Sequence, residues 1–523
     1  MASNSSDSRR HQKTMDLVDE DPHIQSPDVD HQIGPTTKLM KNYGGMSDDA
    51  NNVDIVNKDN NGTTDDAFSF SRTPRQQKIL LFAMGFVNFC ACTCFSLLAP
   101  FYPTEAALKG VSETVTGFVF AVFELVIFIT APVFGNYITN IGSKFMFISG
   151  VMVCGVCAIL FGLLDKCPDG NIFIVMCFLS RTVEALGASA YITASFAILS
   201  NEFPNHVATV IGLLETFSGI GLMVGPTIGS LLYEAGGYGL PFFTMGSILV
   251  VCAIISAYSM PKINDSGTPK RKSMLNLLRS PLCVITAVCI ICGAYALGFF
   301  DPTYAKRLKE LHLTVIQIGL MFLIGPGLYA FTAPLWGWIG DTKKLPKTLI
   351  IIGNFAMAFS FSMLGPSPLT PFFPFALWTQ ILGCVCLGIF LGCGLIPTFR
   401  TLLDGALQIG FEDNFVTFGM VSGLFNSCFS LGAFLGPTGG GLSVDHIHFP
   451  WAVTICCGLF FIAGSAMVIY CIVEKFSDCI PPVPAATTKN GYDRLQMEEI
   501  IRDSPEVSDE DENVTVFDRD DVV

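Results

Sequence analysis

The sequence predicts an all-α membrane protein: twelve transmembrane helices packed as two six-helix bundles, flanked by disordered polar tails. Three observations predict it. Of the 523 residues 51% are hydrophobic and only 14% charged, with a mean hydropathy of +0.53. A soluble chain of this length, which must cover its domains with polar surface, does not reach that balance. Apolar runs long enough to cross a bilayer, about 20 residues each, recur along the chain. The third observation is a repeat. Gly225-Pro226 and Gly436-Pro437 stand 211 residues apart. That offset also pairs Gly212 with Gly423, Gly221 with Gly432, and acidic Glu215 with neutral Asn426. Gly135 to Lys144 and Gly337 to Lys344 repeat at an offset of 202. Two motifs recurring at nearly one spacing describe a duplicated half.

Residues 1–73 are rich in Asp, Asn, Ser, Gln and Lys without apolar periodicity and read as a disordered N-tail. The first half, 74–260, holds runs at 78–101, 114–137, 144–164, 171–194, 207–231 and 240–260. A polar, basic linker covers 261–280. The second half, 281–474, holds runs at 282–303, 314–338, 347–364, 374–397, 415–441 and 450–473. Pro100, Pro132, Pro226, Pro326, Pro334, Pro397 and Pro437 fall within the runs or near their ends, where neighbouring helices can satisfy a broken backbone. Residues 475–523 form a disordered acidic C-tail. Basic residues set the orientation. With the N-terminus in the cytosol, the inside loops and flanks receive fourteen Lys and Arg, among them Arg72, Lys144, Lys262, Lys343 and Arg400, and the outside receives five. Both tails are then cytosolic. No cleavable signal peptide precedes the first run.

The net charge of −14 describes the tails, where the acids crowd. Nearly all of the 19 cysteines lie inside apolar runs, which makes them small packing residues and neither a metal nor a redox centre. No Gly-x-x-x-x-Gly-Lys-Ser/Thr loop, hydrolytic triad or metal-ligand cluster is present. The expectation is a non-enzyme without cofactor, with work drawn from an ion gradient. Nothing points to nucleic acid.

Ionisable groups in a membrane interior are expensive and usually functional. Five stand in the first seven runs: Glu124, Arg181, Glu184, Glu215 and Asp301. Glu124 is either a proton or cation site or a carboxyl kept neutral by hydrogen bonds. Arg181 and Glu184, three residues apart, share a helix face and can pair, as a structural ion pair or as one that breaks when a proton is exchanged. Glu215 lies about two turns into the fifth run. The small residues after it (Gly221, Gly225, Pro226, Gly229), like Gly432, Gly436, Pro437 and Gly440 in the other half, let a neighbouring helix approach closely and make a tight contact that can still slide. Asp301 stands at the outer end of the seventh run as a gate, a cation acceptor or an interfacial residue. Among the aromatics, Tyr191, Phe217, Phe300, Tyr304, Tyr329, Trp336 and Trp378 are mainly packing residues, and a few could stack on an alkylammonium.

Twelve spans, a basic central linker and these repeats resemble the major facilitator superfamily. Gly221 to Gly229 and Gly432 to Gly440 match its antiporter motif. Arg181-Thr-Val-Glu184-Ala-Leu-Gly187 resembles its fourth-helix motif, with Glu184 in place of Gln. In the motif between the second and third helices Thr139 replaces the usual Asp, whereas the second-half copy keeps Asp341. Within the superfamily, Gly135-Asn-Tyr-Ile, Ala208 to Gly219, Phe300-Asp-Pro-Thr303, Ile396-Pro-Thr-Phe399 and Gly432 to Thr438 are similar to the vesicular amine transporter family, most of all its polyamine branch. The likeness runs over about residues 75–474 and leaves out both tails. The acidic residue that the monoamine carriers have in the first helix is replaced here by Ala91, and their large luminal loop is missing.

The resemblance implies a monomeric antiporter that rocks its halves around a central cavity and exchanges luminal protons for cytosolic amines or polyamines. Glu215 and Glu124 would accept the cation, with Asp301 and Asn426 beside them, and Arg181 with Glu184 would couple the proton. Secretory, synaptic-type or endolysosomal vesicles are the implied setting. One competing reading is a drug or organic-cation exporter at the plasma membrane. Another is a transporter-like sensor or scaffold, against which the costly buried charges argue. Tyr492-Asp-Arg-Leu495 fits the Tyr-x-x-apolar pattern that sorting adaptors read on cytosolic tails.

Overall fold

The computed structural model describes residues 73–261, 273–365, 368 and 373–479, apart from a few side chains within them, that of Asp301 included. The helices are α1 (Arg75–Ser96), α2 (Tyr102–Leu108), α3 (Glu113–Ile141), α4 (Ser143–Gly162), α5 (Asn171–Glu202), α6 (Val207–Gly236), α7 (Gly239–Ser259), α8 (Pro281–Leu308), α9 (Val315–Lys343), α10 (Pro346–Leu364), α11 (Leu377–Gln408) and α12 (Phe415–Cys479). The last is broken at His448 (φ 64°) into two arms. Among the described residues 12 helices are long and apolar enough to cross a membrane: α1, α3 to α11 and the two arms of α12.

Local chemistry sets several ends. The Ser112 hydroxyl accepts from the Val115 N–H at the start of α3, and Ser280 accepts from Cys283 at the start of α8. Thr314 and Gln317 form a reciprocal capping box on α9. The structure departs from the expected runs at the first span. α1 stops at Ser96 and a short helix, α2, follows Phe101. Pro100 explains the stop, because a proline disfavours helical backbone at the residue before it and offers no N–H. Pro132, Pro226, Pro326, Pro334, Pro397 and Pro437, by contrast, lie inside continuous helices.

The small-residue ladders knit each half together. A methyl placed at Gly221 would sit 2.5 Å from the Phe89 carbonyl oxygen of α1, and one at Gly229 2.6 Å from that of Leu97. In the second half, Gly436 is pressed as closely on the Tyr295 carbonyl of α8, and Gly432 and Gly440 touch Ile291 and Phe299. These motifs therefore fasten α1 to α6 and α8 to α12, within a half.

Contacts between halves use other residues, and the duplication holds there position by position. Ala208 of α6 meets Gly337 of α9, and Gly419 of α12 meets Gly135 of α3. Gly212 meets Ala333, and Gly423 meets Ala131. The Thr216 hydroxyl donates to the Ala330 carbonyl (2.9 Å), and the Ser427 hydroxyl to that of Phe128 (2.8 Å). Each pair maps onto the other through the offsets of 211 and 202. These two seams close the face that carries the α3–α4, α5–α6, α9–α10 and α11–α12 connections.

Leucine at the two kinds of seam separates their roles. Gly436→Leu overpacks the interior of a half and lowers stability by about 1–3 kcal/mol. Gly135→Leu leaves both halves assembled but keeps α3 from meeting α12, so the protein folds and transports at under about a tenth of the wild-type rate, from ~1.4 kcal/mol or more of lost closure. Thermal unfolding in detergent and uptake into proteoliposomes distinguish them. Equal loss of stability in both variants would contradict the division.

Candidate translocation site

Arg181 and Glu184 project from α5 into the first half. Arg181 is fully buried and Glu184 is 6% exposed, and Nη1 donates to Glu184 Oε2 at 2.8 Å. The guanidinium carbon lies 4.6 Å from the ring centre of Phe123 on α3 and 5.4 Å from that of Phe95 on α1. Its Nε and Nη2 have no hydrogen-bond partner among the described residues. The cation is thus held by one carboxylate and two aromatic faces, with two of its three guanidinium nitrogens unused.

The acidic residues fall into two places. Glu124, the neighbour of Phe123 on α3, is half-buried. Glu215, also half-buried, accepts from the Tyr329 hydroxyl of α9 at 3.1 Å. Glu215 therefore reaches a hydroxyl of the opposite half. α1 runs beside the helices of both acids: its Cys92 lies against Gly221 of α6, and its Phe95 ring is 4.9 Å from that of Phe123 on α3. Asn88 donates to Ser218 nearby (2.5 Å). Asn426, the counterpart of Glu215, is 6% exposed and sits in the seam, its amide 3.5 Å from the Thr193 hydroxyl, while Ser422 donates to the Thr193 carbonyl. The structure thus places Asn426 among cross-half packing contacts. Asp301 lies in α8, and its side chain is outside the described residues.

Asp341 closes the α6–α9 seam at the end nearest the α9–α10 connection. It accepts from the Thr209 N–H and hydroxyl (2.7 Å each) and from the Ala208 N–H (3.2 Å). A carboxylate on the first N–H groups of α6 satisfies orphan donors and faces the positive end of the helix dipole. The offsets place Thr139 at the same position opposite Met420, so the α3–α12 seam has no carboxylate there. Arg400 of α11, in ion pair with Asp404 (3.1 Å), adds a bond to the Pro204 carbonyl at the same face.

Sequence reasoning did not single out Tyr329 as the partner of Glu215. A signal was available: the offset of 202 sets Tyr329 against Ile127, an asymmetry of the same kind as Glu215 against Asn426. Among the described residues no group of three His, Cys, Asp or Glu could hold a metal ion.

Two six-span halves meeting at glycine seams, with an acidic group at the junction, are the architecture of a membrane transporter, and the chain belongs to the major facilitator superfamily: the family model described as Major Facilitator Superfamily matches residues 84–408. Within it the chain falls with the vesicular polyamine transporter branch of the vesicular amine transporters. It is 40% identical over 419 residues to MFS-type transporter SLC18B1 of Homo sapiens, covering 79% of this chain and 91% of that protein. It is 22% identical over 351 residues to the Synaptic vesicular amine transporter of Homo sapiens, covering 65% and 63%. The crystal structure of the human organic anion transporter MFSD10 (TETRAN) superposes with a TM-score of 0.60 at 13% identity, over 76% of this chain and all of that one. That likeness concerns the fold.

Proposed function

We propose that the protein is a proton-coupled antiporter that moves an organic cation, a polyamine or a monoamine, from the cytosol into an acidic vesicle. The observation that carries the reading is Glu215, a carboxylate unmatched across the duplication, standing where the two halves close. An ionised carboxylate there captures an ammonium, and a protonated one releases it. Glu124 is the second acceptor, and Arg181 with Glu184 passes the proton. The membership reported above and the excess of carboxylates over the single arginine support a cationic cargo. Both termini face the cytosol in this reading.

Purified protein in proteoliposomes tests it. Labelled spermidine should enter when the lumen is acidified, and a protonophore should abolish uptake. Wild-type uptake that ignores the pH gradient would overturn the antiport mechanism. Accumulation of drug cations in place of amines would favour the exporter reading, and no transport of any cation the sensor reading. Tyr492 and Leu495 lie outside the described residues. As a sorting signal, the double change to Ala should raise the surface fraction about twofold or more, ~0.4 kcal/mol in the equilibrium between compartments, with transport per molecule unchanged. An unaltered surface fraction by biotinylation would discard the signal.

A further inference from the structure

We infer that Tyr329 is a cargo-displacing residue: its hydroxyl takes the cation's place on Glu215 as α6 and α9 close against each other. The inference rests on the reading above that Glu215 accepts the cargo, and adds a device for letting go of it.

Tyr329 and Glu215 belong to opposite halves, so their 3.1 Å bond exists only while the seam between α6 and α9 is shut. Its neighbours fix that approach. Gly212 lies against Ala333, Thr216 donates to the Ala330 carbonyl, and a methyl at Gly219 would just touch the Tyr329 ring, 3.4 Å from Cδ1. The phenol is 8% exposed and lies inside the seam, beside the contacts that hold α6 on α9. Closing the seam therefore delivers a neutral O–H donor to the carboxylate an ammonium would occupy. A hydrogen bond to an ionised acceptor is among the stronger ones, and it satisfies the carboxylate without bringing a charge. At the corresponding places of the twin seam stand Ile127 and Asn426, so this pair is not repeated there. The pair is thus an addition to the repeated packing and not a part of it.

Tyr329→Phe keeps the ring and removes only the donor. Measured with labelled spermidine, and with a monoamine and a quaternary ammonium in parallel, it should lower KM and the equilibrium Kd about tenfold, the worth of one hydrogen bond to a charged group. The maximal rate should fall with them, because release slows. Thr216→Val is the control. It deletes the adjacent cross-half bond without touching Glu215 and should leave Kd unchanged. An unchanged or raised Kd in Tyr329→Phe would overturn the inference, as would equal tightening in Thr216→Val, which would trace the effect to a looser seam. A wild type that binds none of the three cations would bring down the functional proposal itself, and the inference with it.

Discussion

Glu215→Gln abolishes transport and leaves a folded protein at normal abundance. Glutamine keeps the shape of the side chain and a carbonyl oxygen that can still accept from Tyr329, so the α6–α9 seam survives. What goes is the charge. Losing one partner of a desolvated charge pair costs roughly 2 kcal/mol or more, so cation uptake should drop at least about 30-fold. Uptake into proteoliposomes, normalised to protein recovered by size-exclusion chromatography, measures this. A wild-type rate in Glu215→Gln would make the carboxylate a seam element and move the acceptor to Glu124.

Arg181→Ala separates coupling from binding. The guanidinium is fully buried between Phe95 and Phe123, and removing it leaves Glu184 in apolar surroundings without its counter-charge. Breaking a buried pair from one side costs about 3–5 kcal/mol, so the unfolding temperature in detergent should fall. A buried carboxyl with no counter-charge is no longer free to cycle a proton, and net uptake driven by a pH gradient should fail. Exchange of labelled for unlabelled substrate needs no net proton movement and should persist in part. Arg181→Ala with Glu184→Ala removes both charges and should recover much of the stability but none of the coupling. If that double variant restores gradient-driven uptake, the pair is structural. Loss of exchange along with uptake in a well-folded Arg181→Ala would make the arginine part of the cargo path.

The spans, the duplication and the Arg181–Glu184 pair were legible in the chain because each is a local pattern. Hydropathy marks a span, Gly-Pro punctuation fixes the offset, and i, i+3 spacing puts two side chains on one helix face. Which helices face one another across the halves was not legible. The ladders at Gly221 and Gly432 and the contacts at Gly135 and Gly423 are built from the same small residues, and composition does not say which neighbour a glycine admits. Only the fold shows that the former bind α1 to α6 and α8 to α12, and the latter join the halves. Asp341 was readable as a motif residue, but its role as a cap on α6 needed the approach of Ala208 and Thr209 from 133 and 132 residues away. The short helix α2 escaped because Pro100 ends α1 inside an otherwise continuous apolar run.

The closing face has a thermodynamic property that follows from its plainness. Where Gly135 meets Gly419 and Gly423, and Ala208 meets Gly337, no side chain has rotamers to lose, whereas a long polar side chain ordered at such a contact gives up roughly 1.5–2 kcal/mol. Forming or parting these patches changes side-chain entropy very little. The balance between the two shapes of the transporter then lies close to even as far as the glycines are concerned. Individual bonds such as those of Asp341 and Tyr329 carry leverage out of proportion to their number, and temperature shifts the balance mainly through them.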